Sequence, residues 1–176
     1  MSKVTIVSSS MRKGNSDILC DEFQRGLQEN KNEIIRINIR DKKINFCRGC
    51  SLCQTMGECS LQDDMKEIIK IIKATNVLVL ATPIYFGEIC GQLKTFLDRL
   101  YPLYGDFGIK KVIIIASCYQ DSKKHIDESL NSLKRFFKDM GDIEISKIIY
   151  GENCDDIGDV SEAQKEIAYL CGKDIR

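Results

Sequence analysis

Four cysteines lie within thirteen residues, at a spacing suited to holding a soft metal centre. The segment reads FCRGCSLCQTMGEC and places Cys47, Cys50, Cys53 and Cys59 in a C-x2-C-x2-C-x5-C pattern. Two-residue gaps let neighbouring thiolates converge, and compact runs of four cysteines hold iron–sulfur clusters or, less often, zinc. Four-cysteine zinc sites usually combine two separated C-x2-C pairs, which this run is not. The spacing therefore favours a cluster over zinc, with free thiols or disulfides as a third interpretation.

A second segment with binding chemistry follows the first predicted strand and reads SSSMRKGNS. Small polar residues before a helix expose backbone N–H groups, and these together with the helix dipole favour a phosphate. We expect Ser10, Asn15 and Ser16 to donate hydrogen bonds there and Arg12 to supply positive charge. The segment matches neither G-x-x-x-x-G-K-[ST] nor G-x-G-x-x-G. The alternative is a polar turn in which Asn15 or Ser16 caps the helix.

A third segment, TPIYFGE, follows a continuous apolar strand and offers aromatic groups to a flat ring. Tyr85 and Phe86 present ring faces or edges, while Pro83 stiffens the loop. Gly87 permits close approach of the backbone, so that N–H groups of the loop could reach the polar atoms of a flavin. The alternative is an ordinary loop whose aromatic side chains join the core.

The elements that must position these segments alternate between apolar runs and amphipathic stretches. Strands are predicted at residues 3–8, 33–38, 76–81, 110–117 and 143–150. Helices are predicted at residues 16–28, from the caps Asp63 and Asp64 to residue 72, from the loop 82–88 to about residue 101, and at 122–140 and 160–171. This alternation predicts an α/β protein with an open parallel sheet and helices on both faces.

The predicted sheet suits a flavodoxin-like domain, doubly wound, with five strands in the order 2-1-3-4-5. We expect a single domain over residues 1–176, with a cysteine-rich loop inserted at about residues 40–62. Ligands bind such sheets at the carboxyl ends of the strands, at the switch point of the strand order. The phosphate segment, the aromatic segment and the loop after the fourth strand should therefore meet at one edge.

The composition is that of a cytoplasmic globular protein rather than a secreted, disulfide-linked one. The chain has 176 residues, zero formal net charge and nine cysteines, an odd number. We find no run of eighteen apolar residues and no export signal before the first strand. Clustered cysteines in a reducing compartment bind metals or carry out redox chemistry. We therefore expect a cytoplasmic location, no membrane span and no nucleic-acid partner.

Three motifs, in this order along the chain, resemble those of known families. SSMRKGNS is similar to the phosphate loop of NAD(P)H-dependent FMN reductases, G-S-P-R-x-x-G-N-[ST], and TPIYFGEICGQLKTFLDR resembles the signature of that branch of flavodoxin-like proteins. The cysteine run and the DDM after it resemble the motif of archaeal and bacterial iron–sulfur flavoproteins. The phosphate loop departs from the family pattern at Ser9 and Met11, where glycine and proline are usual, and is one residue shorter.

The resemblance implies FMN and a [4Fe–4S] cluster as cofactors, with NAD(P)H as a further candidate. The FMN phosphate would be held by Ser10, Arg12, Asn15 and Ser16. The isoalloxazine ring would be lined by residues that follow the third and fourth strands, namely Pro83, Ile84, Tyr85, Phe86, Gly87, Ser117, Cys118 and Tyr119. The cluster would be ligated by Cys47, Cys50, Cys53 and Cys59. Members of the family are homodimers or homotetramers.

We expect a flavin-dependent oxidoreductase in which electrons pass from a ferredoxin-like donor through the cluster to FMN and on to an acceptor. One alternative is a cluster-free NAD(P)H-dependent FMN or quinone reductase. Another is a non-enzymatic electron carrier or a thiol redox sensor. No side chain is assigned as catalytic, because the cofactors would supply the chemistry. His125 is predicted at a helix surface, and Asp98 with Arg99 as a structural pair at a helix end.

Overall fold

A computed structural model describes residues 2–176. The strands are β1 (Lys3–Ser8), β2 (Glu33–Asn38), β3 (Val77–Tyr85), β4 (Glu88–Ile89), β5 (Lys111–Ser117) and β6 (Ile145–Gly151). The helices are α1 (Asn15–Gln28), α2 (Leu52–Met56), α3 (Met65–Lys73), α4 (Gly91–Asp98), α5 (Lys123–Ser129), α6 (Asn131–Gly141) and α7 (Glu162–Lys173). Single turns of 3₁₀ helix lie at Ile39–Asp41 and Tyr101–Leu103.

The sheet is parallel along its main path, in the order β2-β1-β3-β5-β6. This confirms the predicted α/β class with a parallel sheet, but the predicted number of five strands is wrong. The sixth strand is β4, which lies off the main path and pairs antiparallel with the end of β3. It exists because Phe86 and Gly87 both have positive φ, 51° and 75°, as a two-residue hairpin turn requires.

The sheet has a hydrophobic core on each face. Neighbouring residues of β3 alternate between them: Leu78 and Leu80 join the core under α3, α4 and α6, whereas Val77 and Val79 join the core under α1 and α7. Because helices cover both faces, β3 is apolar without alternation from Val77 to Ala81. Within residues 2–176, none of the helices combines the length and apolar character needed to cross a bilayer.

One predicted helix is two helices in the structure. The predicted helix over residues 122–140 is interrupted at Leu130, whose φ of −92° and ψ of 4° lie between α5 and α6. Ser129, just before the break, donates its hydroxyl to the carbonyl of His125 at 2.7 Å. Such a bond from a serine to the residue four positions earlier bends helices. The predicted loop 82–88 is also corrected, because β3 continues to Tyr85.

The helices α1 and α7 cross at two glycines that allow direct backbone contact. A Cβ added at Gly26 would lie 2.0 Å from the carbonyl oxygen of Tyr169, and one added at Gly172 would lie 2.0 Å from that of Phe23. Real Cβ atoms do not approach backbone atoms so closely, so a larger residue at either position must push the helices apart. The crossing therefore sets how closely α7 covers its face of the sheet.

We expect Gly172→Ala to destabilise the protein by about 1–3 kcal/mol, the usual result of overpacking a well-packed core. The higher helix propensity of alanine opposes this loss by only about 1 kcal/mol. The free energy of unfolding in urea measures the effect. Gly91→Ala is the control, because a Cβ there has nothing within 4 Å, and it should be neutral or slightly stabilising. Equal stabilities for the two variants would contradict the close crossing.

Candidate functional site

The phosphate loop, the aromatic segment and the loop after β5 meet at the carboxyl edge of the sheet, as the strand order requires. Ser8, at the end of β1, lies beside Ala81 of β3, and Pro83 of β3 lies beside Ser117 at the end of β5. The phosphate loop, the aromatic hairpin between β3 and β4, and the loop after β5 are therefore neighbours. A groove of about 360 Å³ extends from the phosphate loop and the start of α4 to Phe46, next to the cysteine run.

The phosphate loop leaves the first turn of α1 open. Gly14 is the N-cap in an extended conformation (φ −105°, ψ −161°), and no side chain caps the turn. The alternative in which Asn15 or Ser16 caps the helix is therefore wrong. The first N–H groups of a helix have no partner within it, and with the dipole they attract an anion. Arg12 is exposed beside this turn and can add a positive charge.

Two of the predicted phosphate ligands shape the loop in this structure. The Ser10 hydroxyl donates to the carbonyl oxygen of Arg12 at 2.6 Å. Ser16 and Ser117 share a hydrogen bond of 2.7 Å between their hydroxyls, so the loops after β1 and β5 are joined directly. The hydroxyls of Ser10 and Ser16 are therefore engaged within the protein. The donors left for a phosphate are backbone N–H groups and the Arg12 guanidinium.

Asn15 links the phosphate loop to a segment that the sequence analysis did not include. Its side-chain amide donates to the carbonyl of Asp156 at 2.8 Å, and its side-chain oxygen accepts from the N–H of Gly158 at 2.9 Å. Asn15 is buried. The side chain of Asn15 has a structural role in this structure, and its predicted role as a phosphate donor stays a prediction. The loop after β6 forms part of the wall of the site.

A buried carboxylate under the phosphate loop was missed from the sequence. Asp17 is 3% exposed and accepts hydrogen bonds from Ser8 at 2.7 Å, Arg36 at 2.9 Å and Arg40 at 2.5 Å. Arg40 also donates to the carbonyl of Ser10 at 3.2 Å. The two guanidinium groups neutralise a charge that would otherwise repel a phosphate. An acidic residue in the first helical turn, followed by one arginine on the next strand and another just after it, was the available signal.

The aromatic hairpin presents its rings to solvent. Tyr85 is 49% exposed and Phe86, on the turn, is fully exposed. The alternative in which these aromatics join the core is therefore wrong. Ile84 is different, because it is 8% exposed and packs in the core under α3 and α4. Of the predicted ring-lining residues in this segment, Tyr85 and Phe86 are accessible to a flat ligand, whereas Ile84 is not.

A buried polar network joins the hairpin to the phosphate loop. The Ser9 hydroxyl donates to the carbonyl of Ala81 at 2.7 Å, and the Cys90 thiol donates to the Ser9 hydroxyl at 3.1 Å. The N–H of Cys90 donates to the Thr82 hydroxyl at 3.3 Å. This network gives a structural role to Ser9, which stands where the related phosphate loops usually have glycine.

The loop after β5 contributes an exposed ring and a buried thiol. Tyr119 is 66% exposed, whereas Cys118 is 3% exposed and directs its thiol to the carbonyl of Gln120 at 3.2 Å. Burial raises the pKa of the Cys118 thiol, which is therefore neutral at physiological pH. His125, predicted at a helix surface, is half-buried beside the hairpin: a Cβ on Gly87 would lie 3.9 Å from its Cε1.

All four clustered cysteines line one small cavity. The cavity has a volume of about 50 Å³ and its wall includes Cys47, Cys50, Cys53, Cys59 and Tyr101. The first two cysteines are exposed and the other two are half-buried. Burial raises the pKa of the Cys53 thiol. Among residues 2–176, no group of three or more His, Cys, Asp or Glu side chains is close enough to hold a metal ion as placed.

A buried ion pair lies behind the cysteine cavity. The Arg99 guanidinium donates to both carboxylate oxygens of Asp63, at 2.7 and 2.9 Å, and the two side chains are 1% and 0% exposed. The predicted pairing of Asp98 with Arg99 is wrong, because Asp98 instead pairs with Lys94 on the surface of α4 at 2.6 Å. Helix geometry explains this, since positions four apart on a helix face each other and adjacent positions do not.

The Arg99 pair also holds the cysteine loop. Arg99 donates to the carbonyl of Asn45 at 2.7 Å and to the sulfur of Cys59 at 3.5 Å. Burial by itself would raise the pKa of Asp63, but hydrogen bonds from Arg99 and Asn45 outweigh it and hold that pKa well below its usual range. Asp63 is therefore ionised at neutral pH, and α4 and both ends of the cysteine loop are joined through charged hydrogen bonds.

Comparison with known proteins identifies the family. Residues 1–151 match the sequence pattern of the NADPH-dependent FMN reductase family. The chain belongs to this family. It is therefore a member of a family of flavin-dependent oxidoreductases. An iron–sulfur flavoprotein of Methanocaldococcus jannaschii is 32% identical over 153 residues, which are 86% of this chain and 77% of the relative. Within the family, the chain therefore belongs with the iron–sulfur flavoproteins.

Another iron–sulfur flavoprotein, from Archaeoglobus fulgidus, is 36% identical over 105 residues, which are 60% of this chain and 47% of the relative. The chain thus matches about half of the length of that protein. Among solved structures, an NAD(P)H:quinone oxidoreductase from Methanothermobacter marburgensis has a TM-score of 0.76 at 18% identity, with 99% of each chain covered. An FMN-dependent NADH-azoreductase from Bacillus anthracis, in complex with FMN, has a TM-score of 0.73 at 19% identity, with 98% of each covered. These two structures share the fold with this chain.

Proposed function

We propose that this protein is an FMN-dependent oxidoreductase that carries a [4Fe–4S] cluster and passes electrons between the cluster and the flavin. The observation that carries the proposal is the arrangement of Cys47, Cys50, Cys53 and Cys59 around one cavity. Four thiolates are the donor set that such a cluster requires. When bound, the cluster supplies one-electron transfer and FMN supplies one- and two-electron transfer.

The phosphate loop and the aromatic hairpin fit the two ends of FMN. The open first turn of α1 and Arg12 offer hydrogen bonds and positive charge to a phosphate. Exposed rings at Tyr85, Phe86 and Tyr119 offer stacking surfaces to an isoalloxazine ring. The hydroxyls of Ser16 and Ser117, joined at 2.7 Å, hold the two loops at a constant separation. These groups bind and orient the flavin rather than react with it.

The electron donor that we propose is a small acidic protein of the ferredoxin type. Lys42, Lys43 and Arg48 flank the start of the cysteine run and are all exposed. Their positive charges would steer an acidic partner toward the cluster ligands. We further propose a homodimer or homotetramer in the cytoplasm as the working form. Binding of a reduced ferredoxin that weakens at high ionic strength would test the electrostatic part of this proposal.

The first test is the iron, acid-labile sulfide and FMN content per chain of protein purified without oxygen. We expect about four irons and four sulfides with one FMN per chain. Cys47→Ser, and the same change at Cys50, Cys53 or Cys59, should reduce the iron content and leave FMN in place. Cys171→Ser is the matched control, because Cys171 lies on α7 and is half-buried, and it should keep both cofactors.

A second candidate function is a cluster-free NAD(P)H-dependent FMN or quinone reductase. It is supported by the match of residues 1–151 to the NADPH-dependent FMN reductase family. Protein purified without oxygen that has FMN, no iron and steady turnover with NAD(P)H would establish this function and exclude the first. Reversible reduction without turnover of any acceptor would instead favour an electron carrier or a thiol redox sensor.

A further inference from the structure

We propose that Arg99 is a positioning residue for the cluster, which orients Cys59 and raises the reduction potential of the bound cluster by donating a hydrogen bond to the Cys59 sulfur. The inference rests on the proposed presence of the cluster. Its structural basis is one buried guanidinium that contacts a carboxylate, a loop carbonyl and a cysteine sulfur at once.

The position of Arg99 is determined by contacts on both sides of the cysteine run. Its Nη1 donates to the carbonyl of Asn45, just before the run, and its fork is held by Asp63, just after it. The Asp63 carboxylate in turn accepts from the N–H groups of Asn45 and Met65, at 2.9 and 3.2 Å. A planar guanidinium held at several donors has little freedom to turn. The Nη2 donor is therefore kept at Cys59.

A role in the fold alone does not account for all the donors of Arg99. Two hydrogen bonds from the guanidinium pair it with Asp63, and a third goes to the carbonyl of Asn45. The fourth goes to a sulfur, and Nε is buried with no hydrogen-bond partner among residues 2–176. A buried donor without a partner costs about 1–3 kcal/mol of stability. The Nε donor of Arg99 therefore remains available to an acceptor that would arrive with the cluster, such as a cysteinyl or inorganic sulfur.

The expected effect on the potential follows from charge. Reduction adds one electron to a cluster that its four thiolates already make negative, so a donor at a ligand sulfur stabilises the reduced form more than the oxidised form. Hydrogen bonds to the sulfurs are one of the factors that set the potentials of iron–sulfur clusters, and partners of metal ligands tune the metal and orient its ligands. Removing the Arg99 donor should therefore lower the potential.

The decisive variant is Arg99→Met combined with Asp63→Asn. It removes the donor to Cys59 without leaving a buried unpaired charge, and exchange of a buried ion pair for neutral groups is often tolerated. The asparagine keeps one side-chain oxygen, which can accept from the N–H of Asn45 or of Met65 but not from both, because these groups donate to different oxygens of Asp63. Arg99→Lys is a second variant that keeps the positive charge but loses the planar fork. Lys94→Met with Asp98→Asn is the matched control, since it neutralises an exposed ion pair on the same helix.

The first measurement is the midpoint potential of the cluster, monitored through its electron paramagnetic resonance signal during a redox titration. The second is the iron and FMN content per chain. In the double variant we expect the ratio of reduced to oxidised cluster at a given potential to fall about tenfold, the effect of one hydrogen bond. This corresponds to about 59 mV for one electron. Arg99→Lys should show a smaller fall, and the control should match the wild type.

Each outcome bears on the inference separately from the proposed function. A double variant with full iron and the wild-type potential would overturn the inference, because the ion pair would then be structural only. Loss of iron with FMN and the urea midpoint retained would support the orienting role, provided that the control keeps its iron. If the double variant or Arg99→Lys fails to fold, the midpoint potential of the cluster in the other variant tests the inference. Wild-type protein without iron would instead contradict the proposed function itself.

Discussion

Gly14→Asp is expected to weaken FMN binding severely while leaving the fold at least as stable as before. Gly14 is the N-cap of α1 in an extended conformation that any residue can adopt. A Cβ there would make only ordinary contacts, the nearest being 3.7 Å from Arg12. Aspartate is a better N-cap than glycine by a few tenths of a kcal/mol. Its carboxylate would bind the open N–H groups of the first turn, which are the proposed phosphate donors.

The loss of affinity should be large because two like charges would share one small site. At a separation of about 4 Å and an effective dielectric constant of about 20, each pair of unit charges repels by about 4 kcal/mol. This energy corresponds to a loss of affinity of roughly 1,000-fold. Fluorescence titration of the flavin-free protein with FMN measures the loss directly, and FMN per chain in the purified protein gives an independent value.

Two controls separate repulsion of the phosphate from damage to the site. Gly14→Asn has nearly the same shape without the charge and should lose much less affinity than Gly14→Asp. Riboflavin, which lacks the phosphate, should bind to wild type and Gly14→Asp with similar affinity. Equal losses for the two variants, or equal losses for FMN and riboflavin, would mean that the phosphate does not bind at the start of α1.

Asp63→Ala is expected to destabilise the protein by about 3–5 kcal/mol, because it leaves the Arg99 guanidinium buried without its carboxylate partner. The two side chains are 1% and 0% exposed, so the guanidinium is removed from bulk water. The free energy of unfolding in urea measures the effect on variants with matched FMN content. Asp98→Ala removes the partner of an exposed lysine and should change stability by less than about 1 kcal/mol. A loss for Asp63→Ala as small as that of the control would contradict the prediction.

The same ion pair should make stability depend on pH in the acid range. The pKa of Asp63 is lower in the folded protein than in the unfolded chain, where an aspartate titrates at about 3.9. The ionised Asp63 therefore makes its full contribution to the free energy of unfolding above about pH 5, and this contribution is lost progressively as the pH falls below about 4. The difference in unfolding free energy between wild type and Asp63→Asn should shrink over this range. A difference that stays constant down to pH 2 would show that Asp63 is not specifically stabilised as a carboxylate.

The three candidate segments could be picked out from the local sequence because each segment contains its whole signal. The cysteine spacing, the phosphate loop before α1 and the aromatic residues after β3 are each contained within a few residues. The ends of the parallel strands bring the latter two together at the predicted edge. Short-range patterns suffice here because strand periodicity and turn geometry depend mainly on neighbouring residues.

The partners of individual side chains were not predictable in the same way. Asn15 was expected to contact phosphate but is held by Asp156 and Gly158, far along the chain. Arg99 was expected to pair with its neighbour and instead pairs with Asp63 under the cysteine loop. Both outcomes depend on which helices and loops pack together. A buried polar group must find a partner wherever the packing leaves one.

The amino-acid sequence alone specifies the α/β alternation, the parallel sheet and the three segments with binding chemistry, because hydrophobic periodicity and turn residues act over short distances. Tertiary packing adds the polar network around Ser9 and Cys90 and the guanidinium that joins α4 to the cysteine loop. These features depend on burial, which creates the demand for hydrogen-bond and charge partners. Burial is a property of the assembled chain rather than of any segment.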